Sequence, residues 1–351
     1  MHLPDENHKE SRQSLNPKLK QRLGAKKRKL SLEEYIDGIR SGDRMILGRA
    51  ITLIESLSTE HQKKAQQIIE QCLPFVQPSI RIGITGAPGV GKSTFIEALG
   101  KKLVEQGKKL AILAIDPSSQ LSKGSILGDK TRMIDLSSHP NAFIRPSPTG
   151  DTLGGVARKT RETIILCEAA GYDTILIETV GVGQSEIAVR SMVDFFLLLL
   201  LPGAGDELQG IKRGIVEMAD MIVVNKAEEE RLKLAKQAKR SYRNALHLFP
   251  PKESQWIPPV EICSALKHEG ISNIWDKIIE YKTFVEENGF FEKNRSDQAR
   301  FWLKESISDR LQQLFYTDEK ILKAYPELEQ AVLKGEKSPF IAAEMLINLF
   351  K

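Results

Sequence analysis

The octapeptide Gly86-Ala-Pro-Gly-Val-Gly-Lys-Ser93 constrains this chain more than any other feature of its 351 residues. It fits the pattern G-x-x-x-x-G-K-[ST] and stands between a strand-like run, Arg81 to Thr85, and a helix-like pattern from Lys92 to Gln106. Glycines at 86, 89 and 91 let the backbone curl so that successive N–H groups converge on phosphate oxygens at the positive end of the following helix. Gly86, Ala87, Pro88, Gly89, Val90, Gly91, Lys92, Ser93 and Thr94 are therefore the expected phosphate cradle. Lys92 supplies a mobile positive charge for the β- and γ-phosphates, and the Ser93 hydroxyl is a magnesium ligand.

The rest of the chain reads as a scaffold for such a loop. Short apolar runs at Ile80 to Thr85, Leu110 to Ile115, Thr174 to Glu178, Phe195 to Leu201, Met221 to Asn225 and Val260 to Ser264 alternate with helix-like segments near 92–106, 155–169, 210–218, 228–248 and 271–287. Buried strands alternating with helices predict an α/β fold, a P-loop NTPase with a mostly parallel sheet covered on both faces. The expected organisation is a flexible basic arm over 1–31, a helical N-terminal extension over 32–78, the P-loop domain over 79–290 and a helical C-terminal extension over 291–351. In the last of these, Leu303, Ile307, Leu311 and Leu314 share one helical face. That stripe serves either a core helix or the seam of a dimer.

Composition excludes several classes. The longest apolar run, Phe195 to Leu201, stops at Pro202, far short of the ~20 residues of a membrane-spanning helix. Asp5, Glu6 and Glu10 near the N-terminus argue against a secretory signal or transit peptide, and a cytoplasmic location is expected. Cys72, Cys167 and Cys263 are widely spaced, without a C-x-x-C pair, and read as buried small hydrophobes. The net charge of +5 is local: residues 18–30 hold seven basic side chains and no acid, and without them the acidic residues outnumber the basic by two. The arm lacks aromatic interleaving, which argues against nucleic acid as a partner.

The base-recognition elements lie further along. Met221 to Glu228 is a buried run ending in N-K-x-E at Asn225, Lys226 and Glu228, and Ser264-Ala265-Leu266 ends the next run. Both fall where strand C-termini meet a ligand in an open α/β sheet. In the N-K-x-D pattern the acid accepts two hydrogen bonds from guanine, and Glu228 offers the same acceptors on a longer arm. A helix-capping use of Asn225, with Glu228 complementing the helix dipole, is the other reading of these residues. Three acids at strand ends or in the loops beyond, Asp116, Asp129 and Glu178, are placed to serve a hydrated Mg²⁺ beside Ser93. One of them, or Gln184, is a candidate for orienting the attacking water. The glycine-bearing loops Thr179 to Ser185 and Leu201 to Gly214 are of the kind that respond to a γ-phosphate.

With these residues the chain resembles the MeaB/ArgK/MMAA-type GTPases, chaperones of adenosylcobalamin-dependent methylmalonyl-CoA mutase. The resemblance rests on Gly86 to Thr94, Asp116-Pro-Ser-Ser119, Gly124 to Met133, Arg145-Pro-Ser-Pro148, Thr152 to Arg161, Glu178 to Glu186 and Gly203 to Gly214. It covers about residues 32 to 330. It implies a homodimeric, Mg-dependent GTPase that binds GTP and GDP, hydrolyses GTP slowly by itself, and gates cofactor loading and protection of a partner acyl-CoA mutase. Lys92, Asp116, Asp129 and Glu178 match the family's nucleotide and magnesium residues. Lys212, the expected electrostatic contact, lies within the match to its additional switch loop. Glu228 departs from the family's usual Asp, and Gln120-Leu-Ser-Lys123 stands where the family shows a stretch richer in Thr and Gly. The alternative is a regulatory GTPase with a nucleic-acid or other protein partner.

Overall fold

A computed structural model of the protein describes residues 29–115, 133–146, 153–179, 185–203 and 213–350. The N-terminal stretch that reads as one helical segment is three helices, α1 (Leu32–Arg40), α2 (Arg44–Glu55) and α3 (Thr59–Cys72). The first two starts are chemically marked. Ser31 caps α1 through a capping box, its hydroxyl accepting from the Glu34 N–H at 3.1 Å while the Glu34 carboxylate accepts from the Ser31 N–H at 2.7 Å. Asp43 caps α2 by accepting from the N–H groups of Met45 and Ile46.

Strands and helices then alternate: β1 (Ile80–Gly86), α4 (Lys92–Glu105), β2 (Leu110–Ile115), α5 (Ile134–Ser138), β3 (Ala142–Arg145), α6 (Leu153–Ala169), β4 (Thr174–Thr179), α7 (Ser185–Arg190), β5 (Phe195–Leu200), α8 (Arg213–Met218), β6 (Met221–Val224), α9 (Leu232–Leu246), β7 (Val260–Ile262) and α10 (Ile271–Glu287). Three helices follow, α11 (Phe290–Thr317), α12 (Glu319–Leu333) and α13 (Pro339–Phe350). The strands form one seven-stranded sheet in the order β3-β2-β4-β1-β5-β6-β7, with every pairing parallel. Six of the seven strands coincide with apolar runs of the sequence. The seventh, β3, does not announce itself, because it is four residues long, lies at the sheet edge and ends half-buried in Arg145.

Strand alternation sends side chains to two covered faces. In β4, Ile175 and Ile177 join the core formed with α1 to α3 and α6, whereas Leu176 joins the core formed with α4 and α10. This is why the strands read as nearly continuous apolar runs rather than as alternating ones. Below the sheet a buried charge network clamps α11. Arg295 of α11 donates to both oxygens of the buried Asp194 carboxylate at 2.9 and 2.7 Å and to the Ser79 carbonyl at 2.9 Å, while Arg81 holds Glu168 in the same forked manner. Cys72, Cys167 and Cys263 are buried and free.

Among the described residues nothing covers the apolar stripe of α11. Leu303 is 66% exposed and Ile307, Leu311 and Leu314 are also exposed, so a core-helix account of the stripe does not hold. Among the described residues no helix is long and apolar enough to cross a membrane.

Candidate functional site

β1 ends at the C-terminal edge of the sheet, between β4 and β5, and hands the chain directly to the glycine-rich loop. Ala87, Pro88 and Gly89 form its exposed crest, and Val90 returns into the core below. Two glycines are required by close approach. A Cβ on Gly86 (φ 152°) would stand 2.5 Å from the Leu199 carbonyl oxygen, and one on Gly91 (φ 95°) 2.8 Å from Asn225 Nδ2. Lys92 opens α4 with its ammonium folded back on the loop, donating to the carbonyls of Gly86 at 2.8 Å and Ala87 at 3.3 Å. Burial pulls the Lys92 ammonium below the ordinary lysine range, and the carboxylates of Glu178 and Glu186 oppose the shift. Ser93, half-buried, and Thr94, exposed, follow in the first turn.

Asn225, at the end of β6, joins this loop to the neighbouring strand ends. Its Nδ2 donates to the Val90 carbonyl at 2.9 Å, and its Oδ1 accepts from the Ala265 N–H at 3.1 Å and the Cys263 thiol at 3.3 Å. Burial, then the nearby Glu228, pushes the Cys263 thiol up to about 12, so it stays protonated as a donor. The capping reading of Asn225 is not what the chain adopts. Glu228 turns instead toward the next strand end, where its Oε1 accepts from the Ser264 hydroxyl at 2.9 Å, and Ser264 Oγ accepts in turn from the Lys267 N–H at 3.2 Å. Lys226 adopts a left-handed backbone (φ 58°), and its Cε would lie 3.7 Å from a Cβ built on Gly91. Ala265 is buried, and Leu266 projects into solvent.

Glu178 sits half-buried at the end of β4, in register with Ile84 of β1 and Ala114 of β2. Next to it the Thr179 hydroxyl donates to the Thr85 hydroxyl at 2.8 Å, tying β4 to the strand that launches the phosphate loop. The fold thus gathers Gly86 to Thr94, Glu178, Asn225, Lys226, Glu228 and Ser264 to Leu266 at one edge of the sheet. Asp116, Asp129, Gln184 and Lys212 lie outside the described residues. Sequence reasoning passed over two features. Glu186 is fully buried in α7 and its charge acts on Lys92, although its place in the Thr179 to Glu186 run was the signal available. The Thr85–Thr179 pair carries no pattern of its own. Ser93 and Glu178 present only hard oxygen donors, the donor chemistry that suits Mg²⁺.

A family profile described as "Methylmalonyl Co-A mutase-associated GTPase MeaB" matches residues 47–320. The Mus musculus protein named methylmalonic aciduria type A homolog, mitochondrial, is 46% identical over 330 residues, covering 91% of this chain and 80% of the mouse protein. GTPase ArgK of Escherichia coli (strain K12) is 43% identical over 309 residues, covering 88% of this chain and 93% of ArgK. Among solved structures, one described as an LAO/AO transport system kinase is 37% identical with a TM-score of 0.71, covering 90% of this chain and 96% of that one.

Proposed function

Because the chain belongs to the MeaB family of methylmalonyl-CoA mutase-associated GTPases, and is thereby a P-loop hydrolase acting on GTP, we propose that it gates the loading and protection of an adenosylcobalamin-dependent acyl-CoA mutase. The observation that carries the reading is the family match, which runs unbroken from the N-terminal helices through the phosphate loop into α11 and α12. In this reading Lys92 leaves the Gly86 and Ala87 carbonyls for the phosphate oxygens. Ser93 and Glu178, with Asp116 and Asp129, hold Mg²⁺, which when bound neutralises charge on the β- and γ-phosphates. Glu228 accepts from the guanine edge, steadied by Ser264, and Asn225 acts by keeping the phosphate loop and the base-side loop at a fixed separation. The uncovered stripe of Leu303, Ile307, Leu311 and Leu314 supports assembly as a homodimer along α11.

A gate must bind its mutase differently in the GTP and GDP states, since a ligand shifts an equilibrium only by its differential affinity. Lys212, in the loop 203–214, is the residue we assign to this coupling. The experiment is GTP turnover with and without a purified adenosylcobalamin-dependent acyl-CoA mutase from the same organism, for the unmutated protein and for Lys212→Ala. The mutase accelerates turnover, and the substitution weakens the acceleration. No acceleration, together with no complex in either nucleotide state, removes the mutase from the account and leaves a GTPase without this partner.

A further inference from the structure

The magnesium and nucleotide contacts proposed above do not involve Glu186, a carboxylate only 1% exposed beside the phosphate loop. Its place follows from the strands beneath it. In β1, Ile82 and Ile84 face the core formed with α4, so Gly83 and Thr85 face the other side, toward α7. A Cβ on Gly83 would stand 2.8 Å from Val189 Cγ1, which seats α7 on the middle of β1. From the phosphate edge, where β4 ends, α7 leads back toward the start of β5. Glu186 shares the buried face of Val189 three residues earlier, and so lies about 4.5 Å nearer that edge, level with Thr85. The hydroxyl pair of Thr85 and Thr179, at the ends of β1 and β4, is on this same face.

Strand order decides which part of a nucleotide comes closest to Glu186. Asn225 and Glu228, on the base side, follow β6 and Ser264 follows β7, whereas the phosphate loop follows β1. Across the order β4-β1-β5-β6-β7, a nucleotide laid from base to phosphates runs toward β4. Its last phosphate therefore ends on the β4 side, between Lys92 and the segment leading into α7. The charge of Glu186 already reaches this point, since with that of Glu178 it acts on the Lys92 ammonium. In the bound state Glu178 faces Mg²⁺. Glu186, shut off from water, is screened little.

We propose that Glu186 sets the preference between GTP and GDP: its buried carboxylate repels the γ-phosphate and holds down GTP affinity while leaving GDP affinity nearly untouched. The proposal rests on the guanine-nucleotide reading of the site. GTP and GDP offer the protein the same base, ribose and first two phosphates, and only the terminal group brings a further negative charge to the β4 side. A like charge in a poorly solvated site at this range weakens binding by about tenfold or more. Because the cost falls on GTP alone, the resting protein is set toward GDP. A partner that draws the first turn of α7 away from the phosphate loop then raises GTP affinity.

The test measures the affinity of the full chain for GDP and for a non-hydrolysable GTP analogue, both with Mg²⁺, by calorimetric titration. Glu186→Gln keeps the shape without the charge and moves the affinity ratio about tenfold toward GTP, mostly through tighter binding of the analogue. Glu186→Asp keeps the charge and moves the ratio by less than about threefold. Thermal melting checks that each variant folds, and should Glu186→Gln fail to fold, Glu186→Met, equally long and uncharged, decides. A merely structural role for Glu186 weakens both nucleotides together. A ratio that stays within about threefold of the unmutated value in the uncharged variant overturns the proposal, as does a shift toward GDP or an equal shift in Glu186→Asp. If the unmutated protein binds neither nucleotide, the guanine reading itself fails and takes the proposal with it.

Discussion

Removing the Asn225 side chain is the most direct test of how this site is held together. The residue is 2% exposed, so water does not replace what it gives up. Asn225→Ala deletes the bond to the Val90 carbonyl (2.9 Å), the bond from the Ala265 N–H (3.1 Å) and the weaker one from the Cys263 thiol (3.3 Å). The two bonds to backbone groups contribute about 1 kcal/mol each, and stranding a buried C=O and a buried N–H adds about 1 to 3 kcal/mol apiece where the site cannot relax. Partial relaxation of the exposed crest beside Val90 brings the expected loss to about 2 to 4 kcal/mol in the nucleotide-free protein. Asn225→Asp sharpens the argument. It keeps the acceptor for Ala265 and Cys263 but sets a carboxylate oxygen against the Val90 carbonyl, so it destabilises at least as much as alanine while preserving two of three bonds. Both variants also lose affinity for GDP, because Val90 lies between Gly89 and Gly91 of the phosphate loop. Urea unfolding followed by circular dichroism, with calorimetric titration of GDP, measures both effects. If Asn225→Ala unfolds within about 0.5 kcal/mol of the unmutated protein, or Asn225→Asp is tolerated, the residue does not hold the loops together.

Three further outcomes are expected. Burial depresses Lys92, and phosphate oxygens favour its charged form, so nucleotide affinity is constant below the free-state pKa, falls above it, and binding there takes up a proton. The same depression has the opposite sign for the apo fold, which gains stability from this group as pH rises toward the ordinary lysine value of about 10.4, where the unfolded chain holds the extra proton. Calorimetry in buffers of different ionisation enthalpy reads the uptake, and a pH-independent affinity up to that value contradicts it. Arg295→Met leaves buried Asp194 without its two-pronged partner and should cost about 3 to 5 kcal/mol by urea unfolding; a loss under about 1 kcal/mol means α11 is held otherwise. Glu228→Ala should abolish most of the preference for GTP over ATP in a competition assay, whereas Glu228→Asp retains it. Equal competition by ATP in the unmutated protein defeats the guanine reading.

Local chemistry made much of this fold legible. The phosphate loop depends on residues within one octapeptide, the capping of α1 on Ser31 and Glu34, and the buried strands on short apolar runs that a parallel sheet covered on both faces demands. β3 escaped because a four-residue edge strand that is buried only in its first half, at Ala142 and Phe143, needs no long apolar run, and the break of the N-terminal segment into three helices escaped because hydrophobic period alone does not report where a helix stops.

Spacing in the sequence was enough to nominate Gly86 to Ser93, Asn225 and Glu228, because phosphate and guanine chemistry prescribe residue types at short, fixed intervals. The partners of those residues were decided by tertiary structure. Asn225 meets Val90 across 135 positions and Ala265 across 40, and Ser264 meets Glu228 across 36, separations that only strand order closes. The same holds for the stripe on α11. Its period was plain, but whether it lies in a core or faces solvent depends on what packs over it, and among the described residues nothing does. A hydrogen bond or a buried face is a relation between two surfaces, and one stretch of sequence specifies only its own half of that relation.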